Sequence, residues 1–362
     1  MLYISLIALI IGIILSIKSL IRKQSEVGVL QMLFTTSITI ITSSFPNFWN
    51  NTIAIIALLK NQPDIVYNSL EFNYISFIFG IILLIFCLII YIKNLKKIKI
   101  LNINGYGKYN IENYLNNQKD IYTYKENEIN FIDIYNKIFK KKLDDESCEC
   151  ILNQIEENIK AFRNQTVENK KGYTGIAPIP FIVYAGTFLN RFSIDKYYEY
   201  NKSDMSYYEL HSDKKEVLPN LELKTNIDSL DVSKKEVTLV ISLTQKIKDD
   251  DIKQFLNKSN IVKLEAEKCT DNVIKNKNQL YNYVEIVFKN IIDLSEKLGN
   301  LSRINLVMSA QSCFAIEVGK RCTDDTRLPQ IISYQYENQK NIKYPWGIVI
   351  NGNNKKTLVK EV

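Results

Sequence analysis

The sequence predicts an α/β soluble domain of two pseudo-symmetric, Rossmann-like halves, preceded by an all-α transmembrane segment. Three observations carry this prediction. Residues 1–92 are mostly uncharged, whereas residues 93–362 hold nearly all the Lys, Asp and Glu. In the second part, short apolar β-branched runs alternate with longer amphipathic stretches, the pattern of a mainly parallel sheet covered by helices. Within it, one strand–loop–helix–strand pattern occurs twice, at 173–201 and at 304–338.

The membrane segment comes first. Residues 1–17 carry no charge, the apolar run continues to Ile21, and Lys18, Arg22 and Lys23 fall at or after its end. A signal peptide places its positive charge ahead of the apolar run, so an uncleaved anchor is expected. Residues 73–92 form a second unbroken apolar run, and about 20 helical residues cross the hydrocarbon core. Lys93, Lys96, Lys97 and Lys99 follow directly, which by the positive-inside rule places that end and the following domain in the cytoplasm. Residues 27–45 are uncharged but rich in Ser and Thr, and 52–59 are too short to cross alone. The expectation is a multi-pass protein of the inner membrane with spans at 1–21, 27–45 and 73–92. Two or four spans are the alternatives.

The net charge of +7 is modest, and Lys alternates with acidic residues throughout the soluble part. A solvated surface follows, without the basic stripe that a nucleic-acid duplex requires. Six cysteines are scattered with no CxxC pair and a single histidine, His211, beside them. No metal site and no cofactor is expected from that set, and free thiols suit a reducing compartment.

Residues 93–143 read as a polar, Asn- and Tyr-rich connector, with the soluble domain running over 144–362. Residues 144–170 are expected to be helical, with Ile151, Ile155, Ile159 and Phe162 on one stripe. The two echoes share four features in the same order. Each has a strand, then a small-residue loop: Ala177-Pro178-Ile179-Pro180 in the first and Ser309-Ala310-Gln311-Ser312 in the second. Each then has a helix with one glycine, Gly186 or Gly319, followed by basic residues: Arg191 in the first, Lys320 and Arg321 in the second. Each closes on a Tyr-x-Tyr strand, Tyr198-Glu199-Tyr200 or Tyr334-Gln335-Tyr336.

Residues 237–243 read as a buried parallel strand that ends in Ser242, Thr244 and Gln245, with a helical stretch at 250–257. Ligands of doubly wound sheets bind beyond the carboxyl ends of the strands, where small residues and helix N-termini let anions approach the backbone. The loops 242–245 and 309–312, with Pro178, Ile179 and Pro180 of the first echo, are therefore candidate ligand contacts, although a helix cap explains any one of the hydroxyls equally well. Tyr173, Tyr344 and Trp346 are candidates for stacking on a nucleobase, against packing as the plainer role. Arg191, Lys320 and Arg321 are candidate phosphate partners, or equally solvent-facing cations.

With these residues in order, the chain resembles the SAVED domain family, sensor domains of CBASS-type bacterial anti-phage signalling that consist of two fused CARF-like units. The resembling parts are LVISLTQKI at 239–247, INLVMSAQSCFAIEVGKR at 304–321, IISYQYEN at 331–338 and YPWGIVING at 344–352, with 173–201 as the degenerate first half. The resemblance implies binding of a cyclic di- or trinucleotide messenger made by a partner nucleotidyltransferase. It also implies an effector role for the membrane segment, in which ligand-induced homo-oligomers disrupt the lipid bilayer. Family members often carry a small, Ala–Pro-containing loop where this chain has Ser309-Ala310-Gln311-Ser312.

Most catalytic classes find no support. One histidine leaves no Ser-His-Asp or Cys-His set, and no GxGxxG follows a strand. Gly105-Tyr106-Gly107-Lys108 is too short for a phosphate loop and reads as lacking an apolar strand before it. Asp249-Asp250-Asp251 and Asp324-Asp325 read as turns or caps, and Cys313 as a packed thiol. A receptor rather than an enzyme is expected. A membrane-tethered enzyme that degrades the messenger and a protein-binding adaptor are the alternatives.

Overall fold

A computed structural model describes residues 14, 25–45, 73–95, 97–118, 123–139, 143–165, 170–190, 192–212, 218–322 and 328–360. The chain divides into two compact units, Met1–Lys96 and Lys97–Val362. In the first, α1 (Ser25–Ser43) packs along α2 (Tyr74–Leu95). Gly80 makes this approach close, because a Cβ there would lie 2.6 Å from the Ile41 side chain. The Ser and Thr hydroxyls of α1 turn back on their own helix. Thr36 donates to Met32 O at 2.8 Å, Ser37 to Leu33 O at 2.6 Å and Thr39 to Thr35 O at 2.9 Å. Such bonds satisfy a hydroxyl without a second helix or water.

Within α2, Tyr74–Ile92 has a mean hydropathy of 3.1, and only 11% of its apolar window is buried. A core helix of a soluble domain would have that surface covered. The expected span at 27–45 is helical, but its apolar stretch, Gly28–Ser43, is shorter than a crossing needs. Among the described residues one helix is long and apolar enough to cross a membrane. Apart from Ile14, the expected span at 1–21 lies outside the described residues, as does the stretch at 52–59.

The second unit is built from one pattern used twice. Its first half runs β1 (Lys97–Asn104), α3 (Glu112–Asn116), β2 (Thr123–Asn130), α4 (Ile132–Phe139), α5 (Asp145–Gln165), β3 (Lys170–Ile176), α6 (Ile179–Thr187), β4 (Lys196–Asn201) and β5 (Ser206–Glu209). The second half adds the edge strand β6 (Leu221–Leu223). It then runs β7 (Glu236–Ser242), α7 (Lys253–Leu256), β8 (Asn260–Ala266), α8 (Lys277–Lys297), β9 (Arg303–Ser309), α9 (Ser312–Arg321), β10 (Gln330–Gln335), β11 (Trp346–Val349) and the edge strand β12 (Leu358–Lys360). The sheets are ordered β2-β1-β3-β4-β5 and β12-β11-β10-β9-β7-β8-β6. Removing β6 and β12 leaves the same order, with β1 matching β7 and β3 matching β9. The first four strands of each half are parallel and the fifth is antiparallel.

The connector expected at 93–143 is thus corrected. Residues 97–130 supply β1 and β2, and the domain starts at Lys97. The alternation in KIKILNIN hid a strand that is central in its sheet: Leu101 and Ile103 face the main core, Ile98 and Ile100 a smaller one. The same strand precedes Gly105-Tyr106-Gly107-Lys108, which therefore does open beyond a strand end. The helical stripe of α5 is as expected, since Ile151, Ile155, Ile159 and Phe162 are all fully buried. The stretch at 250–257 is a 3₁₀ turn, Asp249–Ile252, followed by the single turn of α7.

The helices α6 and α9 form the joint between halves. Each lies against the opposite half's sheet, α6 on β10 and β11 and α9 on β3 and β4, and the two helices cross each other. Their crossing point is the glycine of each echo: a Cβ on Gly319 would lie 2.0 Å from Val183 O, and one on Gly186 2.3 Å from Ile316 O. Backbone meets backbone here, so no side chain fits.

Candidate functional site

The site is assembled where β1, β3, β7 and β9 end. In the first half, the Gly105 and Tyr106 N–H groups both donate to Ile176 O, at 3.0 and 3.2 Å. In the second, Leu243 and Thr244 donate to Ser309 O at 2.9 and 3.0 Å. The two loop pairs are therefore the same construction, with Tyr106 standing where Thr244 does and Ile176 where Ser309 does. The second half adds hydroxyls: Ser309 Oγ lies 2.7 Å from Thr244 Oγ1 and accepts from Gln245 N–H at 3.1 Å. Ser242 Oγ is buried and accepts from Ile247 N–H at 3.1 Å, which makes it a loop cap.

The missing proline leaves the backbone path unchanged. Pro178 precedes α6 with φ −54° and ψ 134°, and Gln311 precedes α9 with φ −70° and ψ 155°. A φ near −65° suits either residue. The Gln311 side chain has its own task. Its Oε1 accepts from Ile274 N–H at 2.6 Å, and its Nε2 donates to Ile274 O at 3.0 Å and Tyr208 Oη at 2.8 Å. We expect Gln311→Leu to cost about 2 kcal/mol by stranding the buried Ile274 N–H. Hydrogen exchange at Ile274 reads the loss directly, as faster exchange at that amide.

Two residues that the sequence reading passed over complete the helix starts. The Glu199 carboxylate accepts from Cys313 N–H at 2.5 Å, and Gln335 Oε1 accepts from Ile179 N–H at 3.1 Å. Each is the middle residue of its half's Tyr-x-Tyr, and each caps the helix of the other half. The echo itself was the signal, since the tyrosines drew attention while the residue between them made the contact. Tyr173 joins this joint through a 2.6 Å contact between its hydroxyl and Ser312 Oγ. Burial without a counter-cation pushes the Glu199 carboxyl up to about 7, and burial raises the Cys313 thiol well above its ordinary range. A thiol held neutral in this way is packing, as expected, and not a nucleophile.

Several expected ligand contacts are corrected. Tyr173, Tyr344 and Trp346 are fully or almost fully buried, at 0, 2 and 4% exposure, so none offers a free ring face. Trp346 packs on Phe181 with ring centroids 5.5 Å apart and donates its indole N–H to Glu337 at 2.7 Å. Tyr344 has its backbone held by both ends of the Gln254 amide. Lys320 pairs with Glu317 at 2.6 Å, and Arg321 pairs with Glu285 at 2.8 Å and covers Phe288. Both cations sit in the last turn of α9, away from its loop end, and are committed to carboxylates. Arg191 lies outside the described residues.

What remains accessible is Gln245, exposed, with Thr244, Ser309, Ala310 and Ser312 half-buried beside it. In the first half Ile179 is half-buried and Tyr106 exposed, while Pro178 and Pro180 are buried. The Tyr106 hydroxyl accepts from Gln335 Nε2 at 3.0 Å, so this loop touches the same cross-half cap. No group of three His, Cys, Asp or Glu side chains arranged for a metal occurs among the described residues. The loops themselves offer neutral hydrogen-bonding groups, flanked by two ion pairs, Lys108–Glu128 at 3.1 Å and Lys246–Glu265 at 2.7 Å.

A family model described as the SMODS-associated and fused to various effectors sensor domain matches residues 151–350. That is more than half of the chain. This chain is a SAVED protein. The match begins after β1 and β2 and ends after β11, so it takes in the second half of this SAVED unit without the edge strand β12, and the later part of its first half. No curated protein matches the chain. Among solved structures, the chain is similar to the Acinetobacter baumannii Cap4 SAVED/CARF-domain containing receptor with the cyclic trinucleotide 3′3′3′-cAAA. The identity is 14% and the TM-score 0.47, over 90% of this chain and 66% of that one. The same receptor with 2′3′3′-cAAA gives 14% and 0.44 over the same shares. The Moraxella osloensis Cap4 receptor gives 16% and 0.42, over 66% of this chain and 47% of that one. The SAVED chain thus spans about half to two thirds of the receptors it matches.

Proposed function

We propose that this chain is a membrane-anchored receptor for a cyclic oligonucleotide, with no catalytic role of its own. The observation that supports it best is the duplicated loop construction in a chain of the SAVED sensor family. Two pseudo-equivalent sets of strand ends, 105–106 with 176–179 and 243–245 with 309–312, share one backbone construction, to which the second adds the Ser309 and Ser312 hydroxyls. A messenger with repeated nucleotide units is the kind of ligand that a repeated site engages, and neutral hydroxyls and amides recognise base edges and sugars without hydrolysing them. The ligand would be made by a nucleotidyltransferase, and Tyr74–Ile92 would anchor the receptor in the inner membrane.

In this proposal, binding at the cross-half joint biases how neighbouring domains associate, and the anchored helices then disturb the bilayer. A ligand does this only if it binds the assembled state more tightly than the dispersed one. The direct test is thermal unfolding of the full chain in detergent with a panel of cyclic di- and trinucleotides that includes 2′3′3′-cAAA and 3′3′3′-cAAA. Ligand at about a hundred times its dissociation constant adds about 2.7 kcal/mol of stability, a visible shift in melting temperature. A shift with one panel member, without linear product on incubation, is the expected outcome. Linear product would favour a degrading enzyme, and a flat panel on a folded sample would favour a protein-binding adaptor.

A further inference from the structure

The two halves cap each other's helices with different chemistry at one position. Gln335 presents a neutral amide to the start of α6, and Glu199 presents a carboxylate to the start of α9. A helix N-terminus favours negative charge, and at α9 the protein supplies that charge itself. Glu199 is 6% exposed, and it receives hydrogen bonds from Cys313 and from the Ser312 backbone.

The titratable groups around it offer no compensating cation. Tyr173 faces it from β3, Tyr207 and Tyr208 from β5, and Cys313 from α9. The nearby lysines serve other carboxylates, Lys196 pairing with Glu209 at 2.9 Å and Lys320 with Glu317. Ser312, the residue bonded to Tyr173 and next to Cys313, belongs to the half-buried loop where a ligand would dock.

We propose that Glu199 is a specificity residue of the receptor site, which makes the second half bind a phosphate more tightly when its own carboxyl is protonated. The inference rests on the receptor reading above. The lysines beside the two loops are already paired, Lys246 with Glu265 at 2.7 Å and Lys108 with Glu128 at 3.1 Å, so a second anion over 309–312 faces the Glu199 charge across a poorly screened interior. The sign follows from linkage. A docked phosphate raises the proton affinity of Glu199, so binding draws in a proton. Affinity is then constant while Glu199 is protonated in the free protein and falls as pH rises through about 7, the value to which burial brings this carboxyl. The first half carries an amide at the same place and has no such dependence, so the ligand's phosphates are steered toward it at alkaline pH.

The experiment compares wild type, Glu199→Gln and Gln335→Glu as full chains in detergent, each titrated with the cyclic di- and trinucleotide panel at pH 6 and pH 8. Gln at 199 reproduces the cap of the other half, so the fold is kept. We expect wild-type affinity to fall on the order of tenfold from pH 6 to pH 8, which is one pKa unit of coupling. Glu199→Gln should bind equally at both values and at pH 8 more tightly than wild type, whereas Gln335→Glu should steepen the dependence. A ligand-free measurement accompanies it: the melting temperature of Glu199→Gln relative to wild type should rise between pH 5 and pH 8, because wild type loses its protonated carboxyl over that window. Binding whose pH dependence survives in Glu199→Gln overturns this proposal alone. Absence of binding by all three proteins at both pH values overturns the receptor reading and this proposal with it.

Discussion

Replacing Gly319 with alanine is expected to destabilise the domain by about 3 kcal/mol, although the same change in an exposed helix stabilises by about 1 kcal/mol. The sign reverses because the new Cβ would sit 2.0 Å from Val183 O, a backbone atom that cannot rotate away. Relief requires α6 and α9 to move apart, and each of them also carries its cap and its packing on the opposite sheet. Gly186→Ala meets the same obstacle from the other side, 2.3 Å from Ile316 O. For a unit of this size, about 3 kcal/mol lowers the melting temperature by roughly 6–12 °C. Thermal unfolding of the full chain in detergent checks it, and a melting temperature at or above wild type would show that the helices do not cross as described.

Trp346→Ala should cost about 3–5 kcal/mol, the range for emptying an aromatic site in a core. The indole is 4% exposed, stacked at a tilt on Phe181 and bonded to Glu337. Its removal leaves a cavity beneath α6 and an acceptor without its donor. If Trp346 instead gripped a nucleobase, the change would weaken binding while leaving the melting temperature near wild type. Denaturation of the ligand-free variant separates the two, and Trp346→Phe, which fills most of the cavity, should recover the larger part of the loss.

These two predictions mark where the sequence was and was not legible. The echo between 173–201 and 304–338 could be read because both copies keep glycine, small loop and Tyr-x-Tyr in one order. The two glycines in it prove to be the helix crossing. The same reading stopped at half of each repeat. Residues 97–130 read as a connector because Lys97, Lys99, Asn102 and Asn104 break the apolar run of β1, a strand that is nonetheless buried. The buried asparagines are tolerated because their amides donate across the sheet, Asn104 to Glu128 at 2.9 Å and Asn102 to Glu126 at 2.5 Å. A pairing with residues 24 positions away leaves no mark in local periodicity.

Candidate contacts divided along the same line. Ser242, Thr244, Ser309 and Gln311 do gather at strand ends, since a parallel strand followed by a helix places its last residues there whatever the rest of the fold does. The aromatic and cationic candidates did not follow, because residue type alone does not say which face of an element is covered. Tyr344 and Trp346 are inside, and Lys320 and Arg321 face carboxylates contributed by α9 itself and by α8.

By itself, then, the sequence determined the apolar helix at 74–92, the α/β class, the duplication and the family, all properties of local pattern and of its repetition along the chain. Only the tertiary structure decided that the repeat begins at Lys97, that each half caps the other's helix, and that Glu199 is buried without a cation. These depend on which surfaces meet, and burial turns an ordinary carboxylate in a Tyr-x-Tyr strand into a group that titrates near neutral pH.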